Sequence, residues 1–267
     1  MKRILILMGL AATLTAAYAT TLLNESFNYP DGDLKVTSGG LWLSHGGGTT
    51  PLNNAGGRAF IDQNDLTGGR DDYNRPLDAS FDPSTDNLTK LYAGFTVNFS
   101  ALPFNSGTWT KGSYFAHFKS SASSEFYARI GATAGVTPGT FRINIANESA
   151  ISSAVEFPLD LNPNTDYLVI SMLDLATDQA KLWVQPTLET DPSVSGTDAI
   201  SYAAGATNAY ALRQGVSGTS PNQGASGDIL IDDLRVATSF VEVIPEPSIL
   251  ALASLGGLAL LLRRRRI

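Results

Sequence analysis

The feature that most constrains the fold of this chain is a period of two in its apolar residues. In the segment 91–99, leucine, alanine, phenylalanine and valine alternate with tyrosine, glycine, threonine and asparagine. The segments 114–119, 141–146 and 180–185 repeat the alternation. Successive side chains of a β-strand point to opposite faces, so each segment predicts a strand with one buried face. Between the two ends of the chain, no stretch combines a helical period with capping residues.

Turn-forming residues separate these segments. Clusters rich in glycine, serine and aspartate, such as 46–48 and 191–196, supply tight turns at low conformational cost. Many short strands with frequent turns are typical of a β-sandwich or jelly roll. We therefore predict one all-β domain over residues 20–243, a two-sheet antiparallel jelly-roll sandwich. The segment 167–175 is apolar on both faces, which predicts a central strand covered on both sides.

In two of the predicted strands, the pattern must be examined to decide which side chains face the core. The apolar residues of the last strand change face between Ile231 and Leu234, which predicts a β-bulge at the two aspartates between them. In the segment 125–130, strict alternation predicts that Phe126 faces the core and that Tyr127 faces the solvent.

The distribution of charge limits the partners that the body can have. The chain has 18 Lys and Arg residues, 25 Asp and Glu residues and no cysteine, for a net charge of −7. Six of the basic residues lie at the two ends, and without them the remaining body carries −13. Such a body repels phosphates, so we expect no nucleic-acid partner. The absence of cysteine excludes disulfides, thiolate zinc sites and cysteine nucleophiles.

The N-terminus has the three parts of a secretory signal peptide within residues 1–19. Two basic residues precede an apolar run over 4–14, and Ala17 and Ala19 form a small-x-small cleavage site. We therefore expect signal peptidase to cut after Ala19, leave Thr20 as the mature N-terminus, and release the body outside the inner membrane.

The C-terminus combines a proline-rich tetrapeptide, an apolar run and an arginine cluster. The apolar run 249–262 would span about 21 Å as a helix, less than the roughly 30 Å of a hydrocarbon core. Arginines directly after such a run hold that end on the cytoplasmic side. The tetrapeptide before the run and the cluster after it are Pro245, Glu246, Pro247 and Ser248, and Arg263, Arg264, Arg265 and Arg266.

This order of features closely resembles the PEP-CTERM sorting signal, a tail that is also catalogued as an ice-binding-protein C-terminal motif. The resemblance covers about 24 residues. It implies recognition by an exosortase, a membrane transpeptidase-like enzyme of Gram-negative bacteria, and processing near the Pro-Glu-Pro motif. The tail would hold the chain transiently in the inner membrane before the body reaches the cell surface or extracellular matrix. Residues 245–248 would then be recognised as substrate and would not be catalytic.

The body has a second resemblance, to the laminin-G-like, concanavalin A-like jelly rolls of bacterial surface proteins. Asn24–Gly32 looks like their opening strand, Asp228–Val236 like their closing strand, and Tyr167–Pro186 like their middle hairpin. The resemblance implies a fold that carries lectins, adhesion modules and glycoside hydrolases alike. Function does not follow from such a fold alone.

The chain lacks the motifs of two common hydrolase mechanisms. Glycoside hydrolases on such sandwiches need two carboxylates aimed at one bond, and no Glu-x-Asp-x-Glu run is present. Serine hydrolases need a histidine partner, but neither His45 nor His117 accompanies a Gly-x-Ser-x-Gly elbow. We therefore expect no enzyme activity and a structural role for both histidines.

An aspartate-rich segment over 62–86 suggests calcium, which prefers oxygen ligands. The segment matches no EF-hand spacing, and Arg70 and Arg75 offer the alternative of a solvated, ion-paired loop. The candidate calcium ligands are Asp62, Asp65, Asp71 and Asp72.

Aromatic residues near loops suggest stacking on sugar rings. Trp42, Tyr73 and Trp109 lie beside asparagine or aspartate residues, although packing in the core is the alternative for each. Trp183 lies inside a strand pattern and is predicted to be part of the core.

These observations predict an exported, non-catalytic protein for adhesion or association with exopolysaccharide. Its expected partners are signal peptidase, an exosortase and a polysaccharide ligand. The alternative is a secreted polysaccharide-active enzyme, a glycoside hydrolase or lyase, on the same fold. A structural coat protein without a specific ligand is a third interpretation.

Overall fold

The computed structural model describes residues 20–63, 69–81, 88–103, 113–120, 125–148, 153–174, 176–177, 179–199, 207–215 and 226–245. Within them the chain forms sixteen strands, one short helix α1 (Leu34–Thr37) and a 3-10 helix at Val241–Val243. The strands are β1 (Thr21–Glu25), β2 (Gly32–Asp33), β3 (Leu43–Ser44), β4 (Asn53–Ala55), β5 (Arg58–Asp62), β6 (Tyr73–Phe81), β7 (Lys90–Ala101), β8 (Tyr114–Ser120), β9 (Phe126–Ala134), β10 (Phe141–Ala146), β11 (Val155–Glu156), β12 (Tyr167–Asp174), β13 (Gln179–Val184), β14 (Val194–Ser195), β15 (Thr207–Leu212) and β16 (Asp228–Ala237).

The strands form two antiparallel sheets, as the alternation predicts. The larger sheet has the order β14-β13-β12-β7-β16-β5-β4-β2, with β1 also paired to β16. The smaller sheet has the order β11-β10-β9-β8-β15-β6-β3. The opening strand therefore pairs with the closing strand, with Leu23 opposite Val236 and Glu25 opposite Leu234. The prediction of an all-β, two-sheet sandwich is confirmed.

The main core lies between the two sheets and is rich in aromatic rings. Phe95 and Phe99 on β7 point inward and are fully buried. Phe99 stacks on Phe141 of β10 with ring centroids 4.1 Å apart, and Phe115 of β8 packs edge-on against Phe99 at 5.9 Å. Each buried side chain of this size contributes about 1.5–3 kcal/mol to stability, so these rings fix how the sheets face each other.

Bulges set the phase of two strands. Asp233 has a φ of 51°, and the pairing of β16 with β7 shifts register between Asp232 and Arg235, which confirms the bulge predicted there. Ala128 on β9 has a φ of 48°. That bulge turns Tyr127 into the core, where it is 1% exposed, and leaves Phe126 half-buried outside the core. The prediction from strict alternation was therefore wrong for these two rings.

The start of the sandwich is organised by a buried carboxylate, Glu25. It accepts hydrogen bonds from the backbone N–H of Phe27 at 2.8 Å, the hydroxyl of Tyr29 at 2.9 Å and the indole N–H of Trp42 at 3.0 Å. The Nε of Arg75 lies 3.9 Å from the same carboxylate. Trp42 is fully buried, so packing rather than sugar stacking accounts for it.

A second, smaller hydrophobic cluster covers the outer face of the larger sheet. Its cover is residues 240–244, which we name the C-terminal strap. Phe240 packs against Trp183 of β13, with ring centroids 5.3 Å apart, and Val243 is fully buried. The Nη1 of Arg235 donates to the carbonyl oxygen of Ile244 at 3.3 Å. The prediction that Trp183 is a packed residue is confirmed.

The strap needs a glycine beneath it. A Cβ on Gly94 of β7 would collide with the carbonyl oxygen of Val243 and lie 2.9 Å from the Val243 Cβ. We expect Gly94→Ala to displace the strap and to expose Val243. The free energy of unfolding should fall by about 1.5–3 kcal/mol, the contribution of one buried apolar side chain. Urea denaturation checks this. Gly69→Ala is the matched control, because its Cβ would meet only ordinary contacts of 3.7 Å or more, and equal losses in both variants would contradict the prediction.

No helix in the described part of the chain has the length and apolar character needed to cross a membrane. The predicted signal peptide with Ala17 and Ala19, the motif residues from Glu246 onward, the apolar run and the arginine cluster all lie outside the described residues.

Candidate functional site

Basic and aromatic side chains gather on the outer face of the smaller sheet. They come from β8, from β9 and from the residues that directly follow β3 and β15. We name this group the basic–aromatic cluster. Its members are His45, Tyr114, His117, Lys119, Phe126, Arg129 and Arg213.

Irregular pairing brings these side chains to one face. The register between β8 and β9 shifts twice, between Tyr114 and Ala116 and between Ala116 and Phe118. Phe115, Ala116 and Phe118 enter the core, whereas Tyr114 and His117 pack against each other in the cluster. Arg213 continues the line of β15 beside β8, because its backbone N–H donates to the carbonyl of Phe115 at 2.7 Å.

The rings of the cluster form a connected surface. His117 stacks on Phe126 with ring centroids 4.6 Å apart and planes 23° apart. The ring of Tyr114 lies 5.4 Å from His117, and His45 lies 6.2 Å from both His117 and Phe126. Such offset ring packing is favourable by about 0.5–1.5 kcal/mol per pair.

Two guanidinium groups and one ammonium group accompany the rings. The Cζ of Arg213 lies 4.4 Å from the centre of the Tyr114 ring, and that of Arg129 lies 4.9 Å from it. Both distances are within the range of cation–π attraction. Lys119 is 9% exposed and donates from Nζ to the carbonyl oxygen of Ser120 at 3.2 Å. Burial lowers the pKa of Lys119.

Both histidines of the cluster are neutral at pH 7. Burial, with a smaller contribution from the nearby Lys119, lowers the pKa of His45 to about 4. Burial also lowers the pKa of His117 well below its ordinary value, helped by Arg129. The Nδ1 of His117 is buried and has no hydrogen-bond partner among the described residues.

The positive charge of the cluster therefore comes from Lys119, Arg129 and Arg213. The charge of Arg213 is partly balanced by Asp72, whose carboxylate lies 3.8 Å from the Arg213 Nε. The Arg213 Nη1 donates to the Ser113 hydroxyl at 2.7 Å.

These depressed pKa values predict how stability depends on pH. Between pH 6.5 and about 4, unfolded His45 takes up a proton that folded His45 does not. We therefore expect the free energy of unfolding to fall as the pH drops through this window. Urea denaturation across the window measures it, and His45→Asn should reduce the slope without abolishing it, because His117 also has a lowered pKa. An unchanged slope in that variant would contradict the assignment.

The structure places the candidate calcium ligands in separate internal contacts. Asp62 forms an ion pair with Arg70 at 2.8 Å. Asp71 accepts a hydrogen bond from the Ser44 hydroxyl and another, 3.0 Å long, from the backbone N–H of Gly46. Asp72 accepts from the backbone N–H of Gln214 at 2.9 Å, and burial raises its pKa.

Asp65, the remaining candidate ligand, lies outside the described residues, as does Trp109. Tyr73 is 2% exposed and belongs to the core. The described part of the chain contains no group of three His, Asp or Glu side chains that could hold a metal ion. Calcium binding therefore stays a prediction from the sequence.

A polar pocket of about 450 Å³ opens at the loop that follows β3, and we name it the loop pocket. The loop that carries His45 into the cluster also contributes Ser44 and Gly48 to the pocket wall. The remaining wall residues are Asp33, Lys35, Thr49, Pro51, Asp71 and Tyr73.

The two histidines are noticeable in the sequence, but the rest of the cluster is not. Lys119 and Arg129 occupy outward positions of strands, which is where charged residues of any sandwich lie. Only the pairing of β8 with β9 and β15 brings them together with Arg213. The one hint in the sequence is that basic residues are scarce in a body of net charge −13.

Comparison with known proteins agrees with the resemblance found at the C-terminus. Residues 243–266 match the PEP-CTERM protein-sorting motif. Such a motif implies an exported protein of the Gram-negative envelope that an exosortase processes. The two antiparallel sheets of the body form the sandwich that the second resemblance implies. No curated protein matches the chain.

Solved structures of similar fold include both enzymes and lectins. The alginate lyase Aly36B is 13% identical, with 80% of this chain and 95% of that chain covered and a TM-score of 0.48. The PL7 alginate lyase AlyA1 from Zobellia galactanivorans is 12% identical, with coverage of 69% and 79% and a TM-score of 0.41. Arcelin-5, a lectin-like defense protein from Phaseolus vulgaris, is 10% identical, with coverage of 82% and 97% and a TM-score of 0.38. At these identities the likeness concerns the fold alone.

Proposed function

We propose that this is a non-catalytic protein of the cell surface or extracellular matrix that binds an acidic polysaccharide through its basic–aromatic cluster. The observation that carries the proposal is the convergence of Lys119, Arg129 and Arg213 around a connected surface of rings. Signal peptidase and an exosortase are its processing partners.

The chemistry of the cluster matches the chemistry of a uronate polymer. Guanidinium groups pair with carboxylates through directed, charge-assisted hydrogen bonds, and ammonium groups pair with them as point charges. Binding sites for small polar ligands combine such groups with aromatic and apolar walls. A polyanion is repelled by a body of net charge −13 elsewhere, so local positive charge directs it to this face.

A direct titration tests the proposal. The full chain, purified in detergent, is titrated with a polyuronate and with dextran of similar length by isothermal calorimetry. We expect the polyuronate to bind, its affinity to fall as salt is raised, and dextran not to bind, because salt screens charge pairing. Equal binding of the two polymers, or no binding of the polyuronate, would overturn the proposal.

The second candidate function is a polysaccharide lyase. In β-elimination a base removes the proton next to the uronate carboxylate, the C–H electrons form a carbon–carbon double bond, and the glycosidic C–O bond breaks as its oxygen is protonated. The buried neutral imidazole of His117 is the candidate base and the neighbouring Tyr114 the candidate acid. Cations beside the carboxylate would stabilise the charge that develops.

Ultraviolet absorbance of the unsaturated product separates the two functions. A flat trace at saturating polyuronate supports the binding protein. A rising trace that His117→Ala abolishes would establish the lyase and overturn the non-catalytic assignment.

The processing step has its own test. Mass spectrometry of the secreted protein should find a mature form without Arg263–Arg266. A secreted form that retains the four arginines would overturn exosortase processing.

A further inference from the structure

The C-terminal strap and the sorting motif share residues. The match to the PEP-CTERM motif begins at Val243, whereas the strap continues to Ile244. Pro245, the first residue of the proline-rich tetrapeptide, follows the strap directly and is itself half-buried. The segment that an exosortase recognises therefore begins in a part of the chain that is packed on the body.

Apolar packing holds the strap on the outer face of the larger sheet. The ring of Phe240 lies 5.3 Å from that of Trp183 and 6.0 Å from that of Tyr92, measured between ring centroids. Val243 is fully buried in the same cluster. Both side chains would meet water if the strap left the sheet, so the hydrophobic effect favours the docked position.

The backbone of the strap is also in contact with the body. The Val243 carbonyl lies so close to Gly94 that a Cβ there would collide with it. The Ile244 carbonyl accepts a hydrogen bond from the Nη1 of Arg235 at 3.3 Å. Processing enzymes act on exposed segments and reach a packed segment only after it opens locally. While the strap is docked, the first residues of the motif are therefore occupied by the body.

The strap can open without unfolding the sandwich. Its apolar cluster is separate from the main core between the two sheets. It also follows β16, and in the described part of the chain no strand comes after it. Segments at the end of a domain open at a free energy well below that of global unfolding.

We propose that the docked strap withholds the sorting motif from the exosortase, so that the strap must leave the larger sheet before the motif can be captured. This rests on exosortase processing, which is part of the proposed function. The sheet and the enzyme compete for the same residues, and the apparent affinity for a segment falls with the fraction of molecules in which that segment is free. The folded body thus limits the rate at which the chain is processed.

The test follows processing of the full chain in a Gram-negative host that carries an exosortase. Chains are labelled in a pulse, and mass spectrometry measures how fast the form without Arg263–Arg266 appears. Gly94→Ala displaces the strap but changes no residue of the strap or the motif. We expect processing to be at least about fivefold faster in this variant, because the strap is open in a larger fraction of molecules. Phe240→Ala, outside the matched residues 243–266, should have the same effect.

Leu34→Ala is the control for loss of stability alone. Leu34 is fully buried in the main core and lies outside the strap's cluster, so its truncation leaves a cavity while the strap stays docked. Its processing rate should stay within about twofold of that of the unmodified chain, because local opening of the strap does not depend on that cavity.

The outcomes separate the competition from the processing itself. If Gly94→Ala and Phe240→Ala are processed no faster than the unmodified chain, the competition is overturned and exosortase processing stands. Equal acceleration by Leu34→Ala also overturns it, because general instability would then account for the effect. If every form keeps its four arginines, both the competition and exosortase processing are overturned.

Discussion

Replacing Arg129 and Arg213 together by alanine should weaken binding of an acidic polysaccharide by at least about a hundredfold. Each guanidinium group lies within 5 Å of the Tyr114 ring, at 4.9 Å and 4.4 Å. Arg213 also contacts Asp72 at 3.8 Å and Ser113 at 2.7 Å, so a ligand carboxylate would share that guanidinium group with them. Charge-assisted hydrogen bonds contribute about 1.5–3 kcal/mol each, and about 2.7 kcal/mol corresponds to a factor of a hundred. Calorimetric titration with a polyuronate measures the change.

The matched control for this double variant is Arg58→Ala. Arg58 lies on the larger sheet, where it makes two hydrogen bonds of 2.8 Å with Asp166. Its removal also lowers the positive charge of the protein but leaves the cluster intact, so polyuronate affinity should change by less than about twofold. Thermal unfolding of each variant verifies that the fold is retained. Retention of full affinity in the double variant would place the ligand elsewhere.

Glu25→Ala should lower the free energy of unfolding by about 3–5 kcal/mol, the range for removing one partner of a buried charge pair. The variant leaves the mostly buried guanidinium of Arg75 without its counter-ion. It also deprives the Trp42 indole and the Tyr29 hydroxyl of their acceptor. Urea denaturation followed by tryptophan fluorescence measures the loss.

Glu25→Gln separates charge from hydrogen bonding at the same site. The amide oxygen can still accept from Trp42 or Phe27, so the loss of stability should be smaller than that of the alanine variant. If the two substitutions cost the same, the ion pair with Arg75 alone would account for the effect. If neither destabilises the protein, the buried network does not stabilise the sandwich.

The sandwich could be predicted from the sequence because apolar residues recur with a period of two along its strands. Alternation over 91–99 predicted which side chains of β7 enter the core, and the change of phase after Ile231 predicted the bulge in β16. The same rule misplaced Phe126 and Tyr127, because the bulge at Ala128 inserts a residue with a positive φ that no local pattern announces. Backbone irregularities thus limit what a period of two can predict.

The basic–aromatic cluster could not be predicted from the sequence in the same way. Its members come from positions near 45, 117, 129 and 213, and only long-range strand pairing makes them neighbours. The aspartates show the converse. A dense run of acidic residues suggested a cation site. In the structure Asp71 and Asp72 accept backbone N–H groups, and composition alone cannot distinguish such contacts from metal ligation.

The C-terminal strap has a consequence for how the protein is oriented when it is tethered. The strap lies on the outer face of the larger sheet, whereas the cluster lies on the outer face of the smaller one. Thr20, the first described residue, lies close to the segment that leads into the strap. Its N–H donates to the Thr238 hydroxyl at 3.0 Å. The two ends of the described body therefore lie close together at the larger sheet. If the cluster binds polysaccharide as proposed, the ligand and the chain's C-terminal attachment would therefore occupy opposite faces of the sandwich.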